Sequence, residues 1–199
     1  MDAVRIALLR EALAGTEWLA ATRRFGGALR ASVRSRSGGL LVVGSEEYEP
    51  WHLAAHLRDE AAWSDLPQLS PTLVRHRVPD GVPDHLSVGL GRLEAAGRGE
   101  TLLVVSPGEA GAGLLERVHD ARRGGTTVFA LDGGDRDLRS VAHEALTAPP
   151  DTGLDLEVLQ HLVSAAAGEN PGPGRPGRPR LRELLSRFAE RLTTPPPRW

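Results

Sequence analysis

Apolar and polar positions fall into two kinds of pattern along this chain. In three stretches the apolar residues run without alternation: Leu40 to Val43, Thr101 to Ser106 (TLLVVS) and Thr126 to Leu131 (TTVFAL). Such short runs, bounded by turn residues, are what strands buried on both faces require. Around them apolar positions recur at helical spacing. Val4, Ala7, Leu8, Ala12 and Leu13, continued by Trp18, Leu19 and Phe25, predict one or two helices over residues 2–36. Further helices are predicted over about 49–61, 85–97 (with apolar Leu86, Leu90 and Leu93), 110–123, 136–143 and 154–167. The Pro-rich stretch 64–84 holds one short strand, Thr72 to Arg77, and EALTAP reads as an edge strand stopped by Pro149 and Pro150. Gly124-Gly125 ends the helix that lies between two buried strands, so those strands are expected to be parallel, joined by a right-handed crossover.

This order predicts an α/β fold: a three-layer αβα domain with a parallel sheet over residues 1–167, the N-terminal helix included. Residues 168–180, GENPGPGRPGRPR, form a Pro/Gly/Arg linker that cannot build a core. It reads as a solvated tether in preference to a contact for RNA or an acidic partner. Residues 181–199 carry a tethered amphipathic helix and a Pro-rich tail. In 181–192 (LRELLSRFAERL), Leu181, Leu184, Leu185, Phe188 and Leu192 line one face. Alone that helix would be marginal in water, so it is expected to dock on its own body, another subunit or a protein partner.

Composition narrows the chemistry. The 199 residues include no cysteine, which removes disulfides, thiol catalysis and Cys-ligated zinc. All 24 basic side chains are arginine, which removes any Schiff-base or P-loop lysine. A net charge of −2 gives no electrostatic footprint for nucleic acid. No apolar run approaches the roughly 18 residues of a membrane span, and the charged, amphipathic start does not read as a signal peptide. A cytoplasmic protein is expected.

Candidate chemistry concentrates between Gly39 and Glu60, where a strand runs through a Gly-Ser turn into a helix bearing His52 and His56. Strand-to-helix turns of α/β sheets place ligands, since helix N-termini favour anions. Histidines at i and i+4 share one helix face and can hold one metal, or can simply be polar residues on a half-exposed face. The acidic SEEYE stretch suits a helix N-terminus and opposes anion binding there. Asp132-Gly133-Gly134-Asp135 reads as a strand-to-helix turn with Asp135 or Asp137 near the N-cap, not as a metal loop. His143-Glu144 reads as structural, and Trp51 and Trp63 as core or subunit contacts.

With these motifs in view, the chain resembles the SIS (sugar isomerase) domain family, in particular the phosphoheptose isomerases and their non-catalytic relatives, over about residues 5–167. VVGSEEYEPWHLAAHL stands where the family has a GNGGS-type loop and a HFAAEL-type helix. LEAAGRGETLLVVSPGEAG stands at its second phosphate loop, LRSVAHEALTAP at its late strand, and GLDLEVLQHL at its closing helix. The resemblance implies ligand contacts at Ser45, Glu46, Ser106 and Gly108. Departures matter there: Glu46 replaces a phosphate-binding serine, Pro107 lacks an N–H, and Glu109 adds negative charge. Each like charge costs on the order of 1 kcal/mol even in a wet site, and each lost hydroxyl about 1–3 kcal/mol. The family's phosphate cradle is therefore expected to be dismantled.

The resemblance also places metal ligands at His52, His56 and His161, with His56 standing for the family's glutamate ligand and base, and Gly153 near its late-helix glutamine. Three imidazoles and a water suit zinc. The carboxylate needed to shuttle a proton in aldose–ketose isomerisation is missing, and His56 or His161 could act as base only if not bound to metal. Three functions follow. The leading one is a degenerate SIS-domain protein, a non-catalytic ligand- or partner-binding homo-dimer or homo-tetramer. The alternatives are a zinc-dependent sugar-phosphate isomerase, in which Ser45 and Ser106 contact substrate, and a purely structural scaffold. The metal reading requires the three rings to converge on one point.

Overall fold

The computed structural model describes residues 16–35, 38–148 and 155–169, which lie within one compact unit, Gly15–Glu169. The predicted N-terminal turns before Thr16, Gly153, most of the linker and the helix at 181–192 fall outside the described residues.

The elements run α1 (Glu17–Arg34), β1 (Leu40–Gly44), α2 (Trp51–Trp63), β2 (Pro71–Val74), α3 (Gly91–Glu94), β3 (Thr101–Ser106), α4 (Ala112–Arg123), β4 (Thr127–Asp132), α5 (Arg136–Val141), β5 (Glu144–Thr147) and α6 (Leu156–Gly168). Five parallel strands form one sheet in the order β2-β1-β3-β4-β5, so the EALT strand is an edge, as expected. In register, Leu40 pairs with both Pro71 and Thr101, Thr101 with Thr127, and Phe129 with Glu144.

The unalternating runs are buried on both sides because their two faces feed two cores. Leu40, Val42, Leu103, Val105, Phe129 and Leu131 meet Phe25, Leu29, Leu53, Leu57, Leu159 and Val163 from α1, α2 and α6. Leu41, Val43, Leu102, Val104, Val128 and Ala130 meet Leu93, Leu114, Val118 and Leu138 from α3, α4 and α5. This is the predicted three-layer αβα arrangement. Helix α6 packs against both α1 and α2, and the buried Arg30 of α1 donates to the Ala167 carbonyl (2.9 Å) at its C-terminal end, where free carbonyls accumulate.

One prediction fails. Residues 85–97 are not a continuous helix but a 3₁₀ turn, Asp84–Leu86, followed by the single turn α3. The Arg75 N–H donates to the Val88 carbonyl (2.9 Å), and Gly89 bridges Arg75 in parallel. Pairing beside the end of β2 holds Val88 and Gly89 out of a helix, and Gly89 and Gly91 weaken helix there. The same event shortens β2: the strand predicted to Arg77 ends at Val74.

From β1 the chain steps outward to β2, then returns to the other side of β1 as β3. The loops after β1 and β3 therefore diverge at the C-terminal edge of the sheet and open a crevice, the place where open α/β sheets bind ligands.

Candidate functional site

Two groups of side chains lie at this end of the sheet: a polar cleft and a histidine cluster. The cleft is lined by the loop after β1 (Gly44 to Glu49), the end of β2 (Val74 to Arg77, with Pro79) and the loop after β3 (Pro107 to Gly111). Its first wall is a tight turn. A Cβ at Gly44 would sit 1.7 Å from the Tyr48 carbonyl oxygen, so only glycine fits where the chain folds back. Ser45 follows, more than nine-tenths buried, and Glu46 is exposed and paired with Arg77 (3.2 Å).

The second loop is tied to itself. The Ser106 hydroxyl is fully buried and donates to the Gly108 carbonyl (2.8 Å). The Ala110 N–H donates to Asp135 Oδ2 (2.8 Å), and the Gly133 N–H to the Ser106 carbonyl (2.9 Å). A Cβ on Gly133 would lie 2.0 Å from the Pro107 oxygen, so this close packing also demands glycine. Asp135 N-caps α5, accepting from Asp137 and Leu138, as the sequence suggested. His143 is structural too: its Nδ1 accepts from the Val128 N–H (3.0 Å).

Sequence reasoning missed the third wall. Arg75, His76 and Arg77 emerge from β2 into the cleft. Arg75 Nε donates to Glu49 (2.9 Å), and His76 Nε2 donates to the Gly44 carbonyl (2.8 Å). The RHR triplet after an apolar stretch is the available signal, but by pattern it reads as the end of the strand Thr72 to Arg77.

The histidines converge. His52 and His56 lie one turn apart on α2, and His161 comes from α6, nearly fully buried. One ligand nitrogen from each lies within 4.8 Å of the others. His52 Nε2 and His56 Nε2 are 3.1 Å apart. Tetrahedral zinc with bonds near 2.0–2.1 Å separates its ligand nitrogens by about 3.3 Å, so the His52–His56 pair stands at ligating separation and the His161 nitrogen lies within 4.8 Å of both. On the far side of the His52 ring, Glu157 Oε1 lies 3.7 Å from Nδ1. A carboxylate there favours the Nδ1–H tautomer and leaves Nε2 free to ligate. Burial, and next the neighbouring His52, pushes His56 below the ordinary histidine pKa, which favours the neutral ring that binds metal. Trp51 does not plug the cluster. It is tilted against His52 and is 64% exposed, as is Trp63, so neither is a core residue of this chain. Tyr48 connects the two groups: it lines the cleft, and its hydroxyl accepts from the amide of Gln160 (2.8 Å), beside His161.

No protein-family model and no curated protein matches the chain. Solved structures do. A protein of Salmonella typhimurium LT2 described as sugar binding superposes at TM-score 0.54 with 17% identity, over 94% of this chain and 52% of that one; this chain thus spans about half its length. A phosphoheptose isomerase from Francisella tularensis matches at TM-score 0.44 and 15% identity, over 83% of this chain and 88% of that one. The sugar isomerase domain of an RpiR transcription factor from Sphaerobacter thermophilus matches at 0.49 and 13%, over 95% and 94%.

Proposed function

We propose that this chain, which has the three-layer fold of the SIS (sugar isomerase) domains, is a non-catalytic ligand-binding protein that holds a zinc ion on His52, His56 and His161 and does not isomerise sugar phosphates. The observation that carries the reading is the internal use of the second loop's donors. Anion cradles work by aiming unpaired N–H and O–H groups at the phosphate. Here the Ser106 hydroxyl binds Gly108, the Ala110 N–H binds Asp135, and Pro107 has no N–H. Glu109 then adds a carboxylate on the same rim.

Zinc would supply Lewis acidity at its fourth position. His52 and His56 of α2 and His161 of α6 would hold the ion, with the Glu157 carboxylate 3.7 Å from His52 Nδ1 favouring the tautomer that presents Nε2. The homo-oligomer expected from the sequence is also proposed, and the exposure of two tryptophans on α2 supports it.

A second reading, a zinc-dependent aldose–ketose isomerase, is favoured by the same convergence of histidines. One experiment separates the two. Protein purified without tag or chelator is assayed for metal and incubated with a panel of aldose and ketose phosphates. About one zinc per chain without turnover is expected, with the metal lost in His52→Ala. Turnover that disappears in His56→Ala would establish the isomerase instead, and absence of bound metal would remove the zinc from both readings.

A further inference from the structure

We propose that the cleft between the loops after β1 and β3 selects a donor-rich ligand, a neutral polyol or an amine-bearing one, and rejects phosphorylated molecules. The inference rests on the ligand-binding reading above and names the chemical class that reading leaves open.

The cleft presents acceptors, and its cationic donors are already engaged. Four carboxylates line it, Glu46, Glu47, Glu49 and Glu109, against two guanidiniums. Arg75 is held by Glu49 (2.9 Å) and Arg77 by Glu46 (3.2 Å), while the His76 Nε2–H points at the Gly44 carbonyl (2.8 Å). An incoming phosphate would compete with those carboxylates for each cation. Among the described residues Glu47 and Glu109 have no ion-pair partner, and both are exposed on the rim. Ionised carboxylates only accept hydrogen bonds, so they complement hydroxyl and ammonium donors and repel phosphate oxygens.

Ser45 supplies an independent observation. It lines the cleft, is more than nine-tenths buried, and its hydroxyl enters no hydrogen bond among the described residues. Its position on the cleft wall leaves that hydroxyl available to a ligand hydroxyl or amine entering the cleft.

The test uses the full chain and four probes differing only in charge and donors: glucose, glucosamine and the 6-phosphate of each, titrated calorimetrically at low salt. Glucosamine is expected to bind at least as well as glucose, and each 6-phosphate at least tenfold more weakly than its parent. In Glu47→Gln/Glu109→Gln, whose changes are on exposed residues, that penalty should shrink severalfold, with an unchanged thermal melt as the control for folding. Tighter binding of the 6-phosphates to the native chain overturns this inference alone, and leaves a ligand-binding cleft in place. A phosphate penalty undiminished in the double variant overturns it as well. If none of the four binds, the ligand-binding reading falls together with it.

Discussion

Asp132 is a fully buried carboxylate at the end of β4, held by the Gly134 N–H (2.7 Å) and the Thr147 hydroxyl (3.2 Å). Burial raises its pKa above the ordinary aspartate value, against the opposing pull of those hydrogen bonds and of Arg139. A raised folded-state pKa means the folded chain binds the proton more tightly than the unfolded one. The stability this gives is fully present below the unfolded pKa and is lost as pH rises through the folded one. Asp132→Asn removes the titration, so thermal melts should show the variant gaining on the native protein between pH 4 and pH 7. Asp135 is a second pivotal residue, since one carboxylate caps α5 and also binds Ala110. Asp135→Ala should cost about 2 kcal/mol or more in urea unfolding, from a lost cap and a buried N–H left without acceptor. Asp135→Asn, which keeps one acceptor oxygen for the cap, should cost less. The cap was legible in the sequence from the Gly-Gly-Asp turn that follows the apolar run TTVFAL. The reach of the same carboxylate back to Ala110, across 25 positions, was not.

At the scale of elements, the contact between α1 and α6 depends on one glycine. A Cβ on Gly26 would lie 2.7 Å from Ala166 Cβ and 2.9 Å from the Val163 oxygen, whereas one on Gly27 meets nothing within 4 Å. Gly26→Ala should therefore destabilise by about 1–3 kcal/mol through overpacking. Gly27→Ala, at an open position of the same helix, should stabilise by about 0.5–1 kcal/mol. Unfolding curves of the two variants should move in opposite directions. From sequence the two adjacent glycines are indistinguishable. The failed helix over 85–97 has the same origin: its leucines are correctly spaced, but hydrogen bonding of Val88 to Arg75 outweighs a local pattern interrupted by Gly89 and Gly91.

For the whole molecule, the histidine cluster joins α2 to α6, more than a hundred positions apart in the chain, so zinc binding should stabilise the folded unit and not just a local turn. At a hundredfold excess over Kd the gain is about 2.7 kcal/mol, or roughly 5–10 °C for a domain of this size. The native protein should melt higher with added zinc and lower after EDTA. His52→Ala should show neither shift. Among the described residues no helix is long and apolar enough to cross a membrane.

The sequence by itself determined the layers: short uninterrupted apolar runs bounded by turn residues fit strands covered on both faces, and period-3.6 faces supply the covering helices. It also determined which side chains were available, with no cysteine, no lysine and a histidine pair on one helix face. Only the tertiary structure decided that His161 closes on that pair, that Tyr48 meets Gln160, and that Arg75 and Arg77 are neutralised by Glu49 and Glu46. Periodicity reports how each element faces the core, whereas a binding site is set by how the ends of separate elements meet. Those meetings are fixed by strand order and packing, which leave no local mark on the chain.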